Sequence, residues 1–391
     1  MDTKLICVTP NNNNKFYNMT DLGNGQFKVE YGRVGTTATT LTYPISDWNK
    51  KYNEKIKKGY VDITESLSKE IRKSELDIED KDVKELISFL MSCAKQSIKT
   101  NYNISIDNIS DVQINKVQDL IDWLKECVNT KTPYFIVNEK LKDIYTTIPR
   151  KMVDTRYYFM TQDYKDKNLL DLLQEEQKKL DTLKSQVNIN QQSKTISNIT
   201  LESLGFTCEV ASQADRDLIA KQTDFRVNKQ KIFKISNIET EKNFNSNNLK
   251  TKLFYHGSRN ENFLSILQTG LKIRPKGVAT TGSMFGDGIY FANKARKSIG
   301  YTSLKGSYWA SGSSNKAYLA IFEVATGKEW EILKNETYKY WMGNIDEQKV
   351  KQQGCDSVFA QGGADLRNDE YIIYNSNQCT IRYLIELTEE V

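Results

Sequence analysis

The chain has 391 residues, more than one domain's usual share, and its 55 basic and 50 acidic side chains leave a formal charge of only +5. A polyanion would therefore have to be met by a local patch, since no global field announces nucleic acid. Six cysteines without a CxxC pair exclude a zinc-finger array and a disulfide framework and favour a reducing, intracellular compartment, and no run is apolar enough for a secretory core or a membrane span.

From Lys4 to about Thr64 apolar residues alternate, as in Phe27-Lys28-Val29-Glu30-Tyr31, and Gly23-Asn24-Gly25 supplies a hairpin, so a small antiparallel sheet is expected. Trp48 to Lys58 changes to a basic helical pattern that Gly59 should end. Between Ile78 and Leu183 the period is helical. Val83, Leu86, Ile87, Leu90, Met91 and Ala94 share one face, as do Ile114, Val117, Leu120, Ile121 and Leu124, which predicts a bundle. Further helices are expected over Leu141–Ile148, stopped by Pro149, and over Leu169–Leu183. The polar tract from Lys184 to Ser197 reads as an exposed connection. After Ile199 strands return at Lys231–Ile235, Ala317–Val324, Tyr371–Tyr374 and Ile381–Leu387. The expectation is an α+β multidomain chain: a sheet with one helix (1–70), an all-α bundle (75–184), a linker (185–198) and a β-rich domain (199–391).

Chemistry concentrates in the last of these. The single histidine, His256, stands in Phe254-Tyr255-His256-Gly257-Ser258; Phe285-Gly286-Asp287-Gly288-Ile289-Tyr290-Phe291-Ala292 and Asn368-Asp369-Glu370-Tyr371 follow. A histidine, a tyrosine and a glutamate of this kind can bind and cleave NAD. Breaking the nicotinamide–ribose bond develops positive charge on the sugar, so a fixed carboxylate beside it is needed, and Glu370 is the candidate. The same carboxylate can bind a ribose hydroxyl and help activate an acceptor hydroxyl, with no metal required. An oxidoreductase would place G-x-G-x-x-G between a strand and a helix. Gly282, Gly286 and Gly288 instead precede strand-like Ile289-Tyr290-Phe291 and read as a turn that carries Tyr290.

Through YHGS, FGDGIYFA, KSIGY and NDEY in order, residues 199–391 resemble the catalytic domain of the poly(ADP-ribose) polymerase family. That resemblance implies that His256 holds the adenosine ribose, while the Gly257 backbone and the Ser298 hydroxyl hold the nicotinamide carboxamide. It implies that Tyr301 stacks on the nicotinamide ring and Tyr290 walls the other side, with Ala292 among the NAD-binding positions. Glu370 would be the catalytic residue for transfer and chain extension. Asn368 and Arg367 precede the acidic pair, which puts the acceptor side of the pocket apart from the best-known members. The segment 327–364, with Trp330, Trp341 and Gly362-Gly363, shows little sign of an elaborate acceptor loop.

Residues 4 to about 65 resemble the WGR domain through Tyr31-Gly32-Arg33-Val34-Gly35, with tyrosine in place of the name-giving tryptophan. The implied DNA-end contacts are Lys15, Tyr31, Arg33, Lys50 and Lys51, with Arg33 turned either to phosphate or to a neighbouring domain. Residues 75 to about 184 resemble the family's helical regulatory domain, most visibly in Leu141 to Arg150. Together these imply a DNA-break-dependent ADP-ribosyltransferase, monomeric when free, that modifies itself and other proteins. Its compartment would be the nucleus in a eukaryote, or the cytoplasm or nucleoid in a bacterial or viral setting. The competing expectation is a DNA-end-binding protein with an inactive or NAD-sensing domain.

Overall fold

The computed structural model describes residues 2–64, 75–102, 109–128, 130, 132–195, 198–245, 247–273, 284–286, 288–340 and 345–388. Within them the fold is mixed α+β, with sixteen strands and ten α-helices. The chain divides into two compact units, Met1–Arg72 with Lys95–Asn190 and Lys73–Ala94 with Gln191–Val391.

In the first unit β1 (Asp2–Thr9), β2 (Asn13–Asp21), β3 (Gln26–Arg33), β4 (Thr39–Pro44) and β5 (Val61–Asp62) form an antiparallel sheet in the order β4-β3-β2-β1-β5. Gly23 and Gly25, at φ 72° and 81°, turn the β2–β3 hairpin as its sequence predicts. Helix α1 (Trp48–Lys57) lays Trp48 on Phe27, ring centroids 5.0 Å apart, and closes a core with Leu5, Tyr17, Met19 and Val29. Alternation fails in β1, where Leu5 through Val8 are all buried. Both faces of that strand are covered, a state periodicity alone does not reveal.

Before the next helix comes the short strand β6 (Glu75–Leu76), which belongs to the second unit. Helix α2 (Lys81–Asn101) contributes its first part to the second unit and its last turns to the first. Helices α3 (Asp111–Glu126), α4 (Tyr134–Thr147) and α5 (Asp166–Thr195) bury the apolar faces read from the sequence, among them Ile114, Val117, Ile121, Leu124, Leu141 and Ile144. A reciprocal Ser110–Gln113 capping box starts α3. The exposed connection expected from Lys184 to Ser197 is corrected: α5 continues through its described part to Thr195, with Ser185, Gln186, Val187 and Ile189 buried. Polar composition hides the signal there, because Leu169, Leu173, Leu180, Leu183 and Val187 continue one apolar stripe at helical spacing. Ile196 and Ser197, the end of that tract, lie outside the described residues.

Sheet and helices share one unit because the segment after α4 is knitted to the strands. Asn14 Nδ2 donates to Arg150 O at 2.8 Å, Thr155 Oγ1 donates to Thr9 O at 2.8 Å, and Arg33 Nη2 donates to Met152 O and Val153 O at 3.0 and 2.7 Å. Beneath this seam the Arg150 guanidinium bonds Glu176 Oε2 through Nε (2.9 Å) and Nη2 (2.6 Å). It also lies 4.1 Å from the Tyr102 ring centroid. Both partners are fully buried, and Arg150 with Lys179 holds the Glu176 carboxyl below its ordinary range against the opposing push of burial.

The second unit starts with β6, paired in parallel with β7 (Asn198–Ile199). It then runs β8 (Phe206–Val210), α6 (Gln213–Gln222), β9 (Ile232–Asn237), α7 (Ile238–Asn243), β10 (Thr251–Gly257) and α8 (Asn260–Thr269). After these come β11 (Ile289–Phe291), α9 (Ala295–Ile299), β12 (Lys316–Ala325), β13 (Glu329–Ile332), α10 (Glu347–Gln352), β14 (Ser357–Ala360), β15 (Glu370–Ile373) and β16 (Cys379–Thr388). One sheet has the order β10-β12-β16-β9-β8 and the other β11-β15-β14-β13. Strand β12 lies inside the sheet, between β10 and β16, and is buried from Ala317 to Phe322, which explains its unbroken apolar run. The first part of α2 packs on this region: Phe89 meets Tyr318 with ring centroids 5.9 Å apart, and Glu85 pairs with Lys231 and Lys316 at 3.3 and 3.2 Å. Among the described residues no helix is long and apolar enough to cross a membrane.

Candidate active site

The two sheets of the second unit meet at one bridge, in which Tyr255 N donates to Ala292 O at 2.9 Å and Ala292 N to Tyr255 O at 3.1 Å. That bridge, with the Phe254 and Tyr371 rings 4.2 Å apart, places the ends of β10, β11 and β15 side by side, since Tyr290 is opposite Ile372 and Phe291 opposite Tyr371. His256 follows the bridge on β10, and its Nδ1 is 3.2 Å from Tyr290 O. A carbonyl oxygen only accepts, so Nδ1 carries the proton, and in the neutral ring Nε2 is the acceptor. His256 and Tyr290, predicted from separate motifs, are thus fixed against each other by backbone.

Gly257 is needed because of what lies against it. A Cβ there would overlap Ser298 O and stand 3.2 Å from Tyr301 Cβ, so only glycine lets the end of β10 meet α9. Ser298 is buried, and Tyr301 follows on the next turn, its amide donating to Ser298 O at 3.0 Å. Gly257→Ala is expected to push α9 off β10 and lower stability by about 1–3 kcal/mol, which thermal unfolding reads.

The Tyr290 hydroxyl donates to Gly286 O at 2.8 Å and accepts from Phe285 N at 3.0 Å. The Tyr290 ring packs against the core cluster that holds Phe285, Ile372 and Tyr374. Gly286 has φ 93°, and a Cβ there would overlap Ile345 O, so this glycine makes a tight turn into β11. Among the described residues the element that follows is β11 rather than the helix a dinucleotide-type phosphate cradle needs. Gly282, Asp287 and Trp341 lie outside the described residues.

Glu370 opens β15 with a side chain 12% exposed, and Lys297 Nζ contacts its Oε1 at 2.6 Å and Asp369 O at 3.2 Å. Glu370 Oε2 is buried and has no hydrogen-bond partner among the described residues. A buried carboxylate oxygen without a donor is costly unless something completes it. The neighbouring acid has a different role. Asp369 accepts from Gly362 N at 2.9 Å and from Asn293 Nδ2 at 3.0 Å, anchoring the turn that presents Glu370. Burial raises the Tyr301 phenol above its ordinary range, and the negative charge of Glu370 adds to the shift. The Glu370 charge therefore reaches Tyr301. Lys297 is not singled out by the sequence reading, although it stands four residues before Tyr301, the spacing that places two side chains on one side of a helical turn.

In the first unit Lys15 is exposed and directly opposite Arg33, and Tyr31 is opposite Tyr17 with rings 6.0 Å apart. Opposite residues share a face, so Lys15 and Tyr31 lie on the face that α1 covers. Lys50 is exposed on α1, and Lys51 Nζ sits 4.5 Å from the Tyr43 ring centroid. Arg33 also bonds Asn12 O (3.0 Å) and Asn12 Oδ1 (2.8 Å) besides the carbonyls of Met152 and Val153, so its guanidinium is engaged inside the unit.

Residues 209–389 match the family model of the poly(ADP-ribose) polymerase catalytic domain. The uncharacterised protein 101L of Invertebrate iridescent virus 6 is 31% identical over 217 residues, covering 55% of this chain and 91% of that protein. The putative poly(ADP-ribose) polymerase-like protein 100L of the same virus is 34% identical over 176 residues, covering 42% of this chain and 89% of its own length. Poly(ADP-ribose) polymerase 2 of Arabidopsis thaliana is 24% identical over 469 aligned positions, covering 96% of this chain and 71% of that protein. The matched region holds both sheets' junction, the close approach of Gly257 to Ser298 and the Lys297–Glu370 pair, and with these relatives it makes the chain a member of the poly(ADP-ribose) polymerase family.

Proposed function

We propose that this protein is an NAD-consuming ADP-ribosyltransferase, activated by DNA ends, that releases nicotinamide and transfers or polymerises ADP-ribose onto itself and other proteins. The observation that carries the reading is the buried Oε2 of Glu370, which has no partner among the described residues and is aimed by the bond that Lys297 makes to Oε1. Negative charge fixed at that atom stabilises positive charge developing on a bound sugar without reorganisation. The same oxygen has the lone pairs to accept from a ribose hydroxyl and from an acceptor hydroxyl as the latter attacks. Around it, His256 would bind the adenosine ribose, Gly257 and Ser298 the carboxamide, Tyr301 one face of the nicotinamide and Tyr290 with Ala292 the opposite wall.

The dependence on DNA rests on the first unit. Similarity to the Arabidopsis relative extends over 96% of the chain, which supports reading the small sheet as a WGR-type module and the helices as the regulatory domain. Lys15, Tyr31, Lys50 and Lys51 share the α1 side of that sheet and would meet the DNA end there, where cations and an aromatic face suit a phosphate and an unstacked base or sugar. Arg33 would position the sheet. Radiolabelled NAD, with and without nicked or blunt DNA, tests the proposal when products are resolved by size. A DNA-dependent ladder supports it, one discrete shift supports single transfer, and no labelled product with intact DNA binding leaves a DNA-end-binding protein.

Regulation has its own test. Residues 75–94 belong to the catalytic unit, so deleting 75–184 in one block would also strip β6 and the α2 contact with Tyr318 from it. Glu85→Lys is cleaner, because it sets a third positive charge against Lys231 and Lys316. Loosening of this contact is expected to raise turnover without DNA several-fold. Unchanged DNA dependence would make the helices a spacer.

A further inference from the structure

Beyond Tyr301 the chain builds a loop that the proposed chemistry does not use. Thr302 and Ser307 are buried, whereas Tyr308 is 73% and Trp309 61% exposed. The loop is nonetheless tightly made. Trp309 N and Ala310 N both donate to Gly300 O, at 2.9 and 3.1 Å, and Gly312 N donates to Ser307 Oγ at 2.8 Å. Lys305 N donates to Ser314 O at 2.9 Å and Ser314 N to Ser303 O at 3.0 Å. Gly312 is pressed so close to Ser303 and Leu304 that a Cβ would overlap Leu304 O. Gly300 lies against the indole, where a Cβ would be 3.1 Å from Trp309 Cδ1. Burial of apolar surface does not explain an indole anchored this firmly and left mostly in water.

What the anchoring achieves is a ring pair. Trp309 lies parallel to Tyr301, with centroids 6.0 Å and planes 17° apart, and Tyr308 meets the indole edge-on at 4.7 Å and 89°. Tyr301 itself is 39% exposed and comes after the last residue of a five-residue helix, so little else restrains its outer face. An exposed aromatic side chain samples several rotamers, and ordering it on ligand binding costs affinity. A parallel neighbour held by the backbone removes part of that cost in advance.

We propose that Trp309 is a positioning residue for the substrate site: it holds the Tyr301 ring at the angle at which a planar aromatic carboxamide stacks on it. This rests on the reading of the site as an NAD pocket. Because the ring interaction is present equally before and during bond cleavage, its loss should weaken binding and leave the chemical step alone.

The test uses the full-length protein with DNA present. Two ligands are compared: NAD in steady-state turnover, and benzamide, which keeps the ring and carboxamide of the leaving group, in calorimetric titration. Trp309→Ala is expected to raise the KM for NAD and the Kd for benzamide together, by roughly 3- to 10-fold, with kcat changed less than about 2-fold. Trp309→Phe should restore most of both. Equal affinities in wild type and Trp309→Ala, or a fall in kcat that phenylalanine does not rescue, would overturn the proposal while leaving the NAD site standing. A wild-type protein that neither turns over NAD nor binds benzamide would remove the site's reading and the role of Trp309 with it. A thermal unfolding curve matching wild type shows that Trp309→Ala folds.

Discussion

Glu370→Gln is expected to lower ADP-ribose transfer by about 100-fold or more while NAD binding changes only a few-fold. The substitution keeps shape and volume and removes one negative charge, and that charge has two roles in this fold. On the proposed reading it faces the bond to be broken through Oε2, and it neutralises Lys297 through Oε1, with both side chains mostly buried. With glutamine, positive charge developing on a sugar would meet an ammonium that has lost its counter-ion, so the barrier rises from both sides. Lys297→Met should fall between wild type and Glu370→Gln, since it leaves the carboxylate but frees its orientation. Initial rates of nicotinamide release and a separate binding titration distinguish the cases. Full activity in Glu370→Gln would remove the carboxylate from the mechanism.

The largest effect on stability is expected at the other buried ion pair. Removing Glu176 as alanine strands the Arg150 guanidinium among Tyr102, Tyr145 and the helices, at a cost of about 3–5 kcal/mol. Unfolding midpoints followed by circular dichroism should drop by roughly 6–20 °C. Arg150→Met together with Glu176→Leu should recover most of the loss, because two apolar side chains need no partner. The pH dependence follows from the depressed carboxyl of Glu176. Its contribution is present above the unfolded-state value of about 4.3 and disappears as pH falls through the lower folded-state value. The gap between wild type and Glu176→Gln should therefore be constant near neutrality and narrow only in acid. A gap that widens in acid would contradict the assignment.

Glu176 also shows how much a sequence can disclose. It interrupts the apolar stripe of α5 between Leu173 and Leu180, and a carboxylate in such a stripe demands a cation. Periodicity locates the demand; only the fold identifies Arg150, 26 positions away, as the answer. The same division holds at the site. His256, Gly257, Tyr290, Ser298, Tyr301 and Glu370 are picked out as candidates because each stands in a short motif. Lys297 stands in one of those motifs and goes unread, since its meaning depends on β15 lying beside α9. Helix periods and strand alternation disclose the elements, but the tract from Lys184 to Thr195 misleads when polarity is weighed above spacing. Three sequence domains become two compact units for a comparable reason: the bonds from Asn14, Arg33 and Thr155 that join sheet to helices link residues over a hundred positions apart.

A chain with a single histidine, fixed by one backbone carbonyl at the junction of two sheets, carries a built-in spectroscopic reporter. In a proton or nitrogen NMR spectrum the imidazole region should contain one set of resonances that needs no assignment. Its tautomer pattern, its titration and its displacement on adding nucleotide can be followed in isolation, so occupancy of the pocket becomes observable in the native protein without a mutation or a dye.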